Sequence, residues 1–245
     1  MSVYAAPPHD TLTYVGMALL VAAVVPAAAW VFAAGKWRAG WAWLAAGASV
    51  MGLSAALAAT AVLAQVEAKP PMLPALVAVL LIQLLWRGFS AQGLRAAKAM
   101  SPAALVLLQS FRLPLELLML HAAAAGVMPV EFSTAGYNLD VVTGALALPL
   151  GLALLRGRRL PAAVLWAWNL WGIGCLCVIV VLAVLTSPNV AFFGRDTVHL
   201  SIWVLYFPYV WLPAVLVGVA IYGHIAICTR LLSLSTTTRR QASRR

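Results

Sequence analysis

Apolar residues follow one another along this chain in long uninterrupted blocks, not in alternation with polar ones. A helix needs about 20 apolar residues to cross about 30 Å of hydrocarbon. Lipid satisfies no backbone group, so each block predicts a membrane-spanning helix, and the lack of alternation excludes a barrel. Seven blocks are read, over residues 11–34, 41–65, 72–86, 102–126, 138–155, 161–186 and 201–231, the third running on as helix to about Leu94. The expected fold is therefore all-α, a polytopic bundle of seven transmembrane helices over residues 1–232. A basic cytoplasmic tail without regular structure, rich in Ser, Thr and Arg, follows over 233–245.

The polar intervals set the orientation. Of 16 lysines and arginines, all but Lys69, Arg112 and Arg195 lie after the first, third and fifth blocks or at the C-terminal end. Basic residues mark the cytoplasmic side, so the N-terminus is expected outside and the C-terminus inside. Residues 1–11 carry no lysine or arginine, which a signal peptide would need, so the first block reads as a retained span. Alanine-rich composition and arginine in place of lysine point to a bacterial protein of the inner (cytoplasmic) membrane.

Composition narrows the function classes. With 64% hydrophobic and 9% charged residues, no soluble domain is available to cover such a surface. The formal charge of +10 sits beside spans as a topology signal, so no nucleic-acid partner is expected. The second block is rich in small residues (Ala45, Ala46, Gly47, Ser49, Gly52, Ser54), which let backbones approach closely. That block is expected at the centre of the bundle, and its face is also a candidate surface for a homo-oligomer or partner subunit. Cys175, Cys177 and Cys228 have neither disulfide nor metal-ligand spacing and read as packing residues. Gln83 and Asn169 read as interhelical hydrogen-bonding groups.

Against this background the fourth block stands out, because Arg112, Glu116 and His121 lie inside it. Ionisable groups in hydrocarbon are costly and mark functional sites. Arg112 lies about 15 Å into the span at helical rise, near the midplane. Glu116, four residues on, shares its face, so an ion pair between the two is expected. Pro114 leaves the Ser110 carbonyl without its helical donor. His121 lies about 180° round the helix from Arg112 and reads as an interfacial hydrogen-bonding group.

Asn138 and Asp140 open the fifth block, which is short and interrupted by Gly144, Pro149 and Gly151. As cap residues they suit a helix start. Short, broken spans also flank substrate sites in transporters, which places Asp140 at the outer rim of a cavity faced by Glu116. His121 and His199, on the outer side, are candidate ligands for haem or a transition metal, whereas His224 reads as lying near the inner end of its span. Tyr206, Tyr209 and Pro213 share a face in the last block, where they would wall a cavity or simply pack. A retinal Schiff base in the manner of rhodopsins needs a lysine in the last helix, and the lysines here are Lys36, Lys69 and Lys98. No phosphate loop or dinucleotide motif is present, and Glu116 and His121 miss metalloprotease spacing.

The expected function is accordingly non-enzymatic. It is a carrier or binding protein for a small polar or anionic solute, held by Arg112, Glu116, Asn138 and Asp140 at a site open to the outer side. The alternatives are a membrane redox or metal protein using the outer histidines, and a non-catalytic subunit of a larger complex. No cofactor is expected under the first reading.

Overall fold

The computed structural model describes residues 4–65 and 71–242, with side chains as far as Ser233. The turn expected at 66–70, with Glu67 and Lys69, and the terminal Arg244 and Arg245 lie outside the described residues. The chain is all-helical, with no strand among the described residues. Its helices are α1 (Thr11–Phe32), α2 (Trp37–Ala59), α3 (Met72–Phe89), α4 (Ala91–Ala99), α5 (Pro102–Leu108), α6 (Arg112–Ala124), α7 (Val141–Leu155), α8 (Ala162–Leu185) and α9 (Val217–Ala242). Six segments are long and apolar enough to cross a membrane, and α7 is a shorter apolar helix.

Several boundaries differ from the sequence reading for local reasons. The third span ends at Phe89, short of Leu94, because Ser90 turns extended and caps α4 by accepting from the Gly93 amide at 3.0 Å. The short α4 then lies against α9, where Arg230 donates to the Lys98 carbonyl. Residues 201–211 are irregular where helix was expected, since Pro208 and Pro213 remove backbone donors. Regular structure resumes as a π turn, Leu212–Leu216, that leads straight into α9. The backbone of α9 stays helical to Ala242, into the stretch expected to be irregular.

The fourth span is one path in three pieces. A 3₁₀ turn, Gln109–Phe111, joins α5 to α6, and the Arg112 amide bonds back to the Gln109 carbonyl. This tightening falls just before Pro114, whose ring excludes an ordinary turn against Ser110.

The centre of the bundle is α5–α6 with α9, the most buried of the spans. The small-residue helix α2, expected there, is instead peripheral and mostly exposed. Its Gly40 and Gly47 serve contact with α1, Gly40 against Trp30 and Gly47 against Val25. The physical reason lies in the polar side chains. Gln109, Arg112, Glu116 and His224 all belong to the fourth span and α9, and the bundle shields them from lipid by wrapping the apolar helices around them.

Candidate functional site

The site is built where α7 comes unusually close to α6. A Cβ on Gly144 would stand 2.3 Å from the Leu113 amide nitrogen, so only glycine allows this approach. Asp140, one turn before Gly144 on the same face, is thereby brought against Arg112. The Arg112 Nη1 lies 2.9 Å from the Asp140 carboxylate, and both side chains are buried. Asp140, expected at the rim of a cavity, is thus a buried partner of Arg112.

Glu116 forms no ion pair among the described residues, so the expected Arg112–Glu116 pair is replaced. The backbone accounts for this, since the close α7 backbone offers the guanidinium a carboxylate from across the interface. Glu116 instead receives the Asn138 amide, with Nδ2 at 2.8 Å from each carboxylate oxygen. The same Nδ2 donates to the Phe132 carbonyl at 3.0 Å. Asn138 Oδ1 accepts from the Asp140 amide at 3.0 Å, a local turn that sets the entry into α7. The four residues singled out from sequence do converge in one buried cluster, through contacts other than those anticipated.

His224 completes the cluster, a role that the sequence reading does not give it. Because α9 is continuous with the turn that starts at Leu212, His224 lies about 18 Å along that helix, well inside the bundle. Arg112 Nη1 donates to His224 Nε2 at 3.1 Å. Arginine has donors only, so Nε2 must accept and the ring proton must sit on Nδ1. Nδ1 then donates to Asn169 Oδ1 at 2.7 Å, and Asn169 Nδ2 donates to Cys228 Sγ at 3.0 Å. Asn169 therefore bonds between helices as expected. Gly172, one turn along α8, makes room for the imidazole, since a Cβ there would stand 2.6 Å from Nε2. A histidine inside an apolar span was the signal available in the sequence.

The guanidinium is incompletely satisfied. Arg112 is 1% exposed, yet its Nε and Nη2 have no hydrogen-bond partner among the described residues. Arg112, Glu116 and Asp140 also line a cavity of about 30 Å³ whose other walls are apolar side chains. Such a volume admits a species the size of one or two waters. Arg112, Glu116, Asn138 and Asp140 are all buried in this conformation.

His121 and His199, expected on the outer side, are engaged separately. His121 Nε2 lies 3.1 Å from Asp10, the cap of α1, and His199 Nδ1 lies 2.7 Å from Glu131. No group of three metal-ligating side chains is assembled among the described residues. Tyr209 packs on Trp203, Tyr206 donates to the Tyr4 carbonyl, and Pro213 borders two cavities. Trp168 is buried and donates to the Thr143 carbonyl at 3.0 Å.

The profile of a domain of unknown function, DUF8737, matches residues 70–232, about two thirds of the chain. The protein belongs to this family. No curated protein and no solved structure matches it. The DUF8737 region contains every member of the Arg112 network, from Arg112 to Cys228. The helices α1 and α2, with Asp10, precede it.

Proposed function

We propose that this multi-pass membrane protein is a carrier or binding protein for a small polar solute, and that Arg112, Glu116, Asn138 and Asp140 form its recognition site in a closed state. One observation carries the reading. A fully buried guanidinium keeps two donor nitrogens unused, and its residue lines a small cavity together with Glu116 and Asp140. A bundle gains nothing from such an arrangement as packing alone, because buried unsatisfied donors cost about 1–3 kcal/mol each.

The charge count refines the solute. One guanidinium faces two carboxylates, with an imidazole that only accepts from it. Arg112 is already paired with the Asp140 carboxylate, so a net anion would bring in a buried charge without a free counter-charge, and a neutral or zwitterionic solute suits the site better. In this reading the N-terminus faces outward, the basic ends of the helices face the cytoplasm, and the membrane is the bacterial inner membrane.

The reading is tested on purified protein by thermal stabilisation against a panel of small neutral and zwitterionic solutes, free amino acids included. Stabilisation that vanishes in both Arg112→Lys and Glu116→Gln supports it, and stabilisation unchanged in both overturns it. Orientation is tested with an impermeant thiol reagent in a cysteine-free background. A cysteine replacing exposed Ala135 should react from outside and one replacing exposed Arg158 should not.

A further inference from the structure

A second, larger cavity lies directly beside the Arg112 cluster. It measures about 540 Å³ and runs between α3, the end of α8 and the segment 201–217. Among its described lining residues none is charged, and those with polar side-chain groups are Ser187, Asn189, Ser201 and Trp203, through its indole nitrogen. Met72, Val180 and Val184, all exposed on the outside of the bundle, belong to its walls, so the crevice reaches the surface that faces lipid. Size and lining match those of sites for apolar ligands.

Among the described residues, three side chains, Ile179, Leu212 and Val217, border both this crevice and the small cavity of Arg112, Glu116 and Asp140. Leu212 opens the π turn and Val217 follows it directly. A π turn is a place where helix register can change locally, and such turns recur at functional sites. Rotation of three aliphatic side chains at this seam would join the crevice to the small cavity that Arg112, Glu116 and Asp140 line, where the buried arginine keeps two unpartnered donors.

Resting on the solute-site reading above, we infer the class of that solute. It is a single-chain amphiphile whose compact, uncharged or zwitterionic head places an acceptor oxygen on Arg112 and whose hydrocarbon tail occupies the crevice. Arginine, with donors only, selects an oxygen-bearing head. The Asp140 carboxylate, already paired with Arg112, disfavours a net negative one. The apolar walls select the tail, and their opening toward lipid supplies a lateral route of entry from the bilayer.

The probe is a monoacylglycerol with a photoreactive diazirine in its acyl chain, added to the full-length protein in lipid nanodiscs and mapped by peptide mass spectrometry. Labelling is expected on the crevice walls, at Ile179, Val184 or Val204. Replacing Ala183, an exposed crevice residue, by phenylalanine should cut it about tenfold without touching the Arg112 network. A headless alkyl diazirine of equal chain length should label the same peptides about tenfold less, as expected from the loss of one hydrogen bond to a charged donor. Equal labelling by the headless chain, or labelling that Ala183→Phe leaves unchanged, overturns the inference. Free glycerol or an amino acid that stabilises the protein through Arg112, with no crevice labelling by the probe, overturns the amphiphile while leaving the polar site standing. Failure of both probes removes the two together.

Discussion

Arg112 Nη1 stands between two partners, 2.9 Å from Asp140 on α7 and 3.1 Å from His224 on α9, so one nitrogen ties three spans together. Removing the arginine leaves Asp140 buried without its counter-charge. Arg112→Ala is expected to lower stability by about 3–5 kcal/mol, the cost of breaking a buried ion pair from one side. Asp140→Asn in the Arg112→Ala background should restore part of that loss. A double-mutant cycle on unfolding in mild detergent measures the coupling, and strictly additive losses would contradict the pairing.

The direction of the hydrogen bonds makes a spectroscopic claim. His224 should be the Nδ1–H tautomer, because Nε2 accepts from arginine and Nδ1 donates to Asn169. Nitrogen NMR of ¹⁵N-histidine-labelled protein, with His224→Gln for assignment, distinguishes the two ring nitrogens. A proton on Nε2 would refute the assigned order of donors. Asn169→Leu should release the ring and allow both tautomers to appear.

Two glycines should respond oppositely to alanine. At Gly144 the new Cβ meets backbone, 2.3 Å from the Leu113 nitrogen, which cannot yield without moving α7 off α6. Gly144→Ala is expected to destabilise by about 3 kcal/mol, the upper part of the range for overpacking. At Gly174, in the same membrane region of α8, nothing lies within 4 Å of the place an alanine methyl would take. Gly174→Ala should be neutral or stabilise by about 0.5–1 kcal/mol, through lost freedom of the unfolded chain. Thermal midpoints of the pair decide the matter.

Asp10 gives a pH dependence outside the membrane. Its carboxylate accepts from the Thr13 hydroxyl at 2.6 Å and the Thr13 amide at 2.8 Å, and these bonds, helped by His121, hold it below the usual carboxylate range. A lowered native value means that the cap stabilises the fold fully above the ordinary Asp value of about 3.9. The stabilisation is lost as pH falls through the lowered native value. Asp10→Asn keeps the cap without titrating, so its thermal midpoint should fall less steeply than the wild type's between about pH 5 and pH 2. Parallel curves would show that Asp10 contributes no such dependence.

Much of this is legible in the chain because membrane physics is local. Block length marks a spanning helix, and an arginine near the middle of one marks a polar cluster. Convergence of Arg112, Glu116, Asn138 and Asp140 follows from the same logic. Pairing does not, because the distance between α6 and α7 depends on what Gly144 faces, a relationship between helices that no single-helix periodicity contains. The central place expected for α2 fails for a related reason. Small residues allow close approach, but the burial of polar side chains on the fourth span and α9 decides which helices take the middle. His224 lies deeper than its sequence position suggests because its helix begins at Leu212 and not at Ser201, which shifts its depth by several residues.

Asn138 has a mechanical consequence. Its single amide grips Glu116 and the Phe132 carbonyl on one side and the Asp140 amide on the other. Glu131, the neighbour of Phe132, is clasped at the surface by His199. The turn carrying His199 and the buried carboxylate of Glu116 are therefore two arms of one lever, with an amide as its pivot.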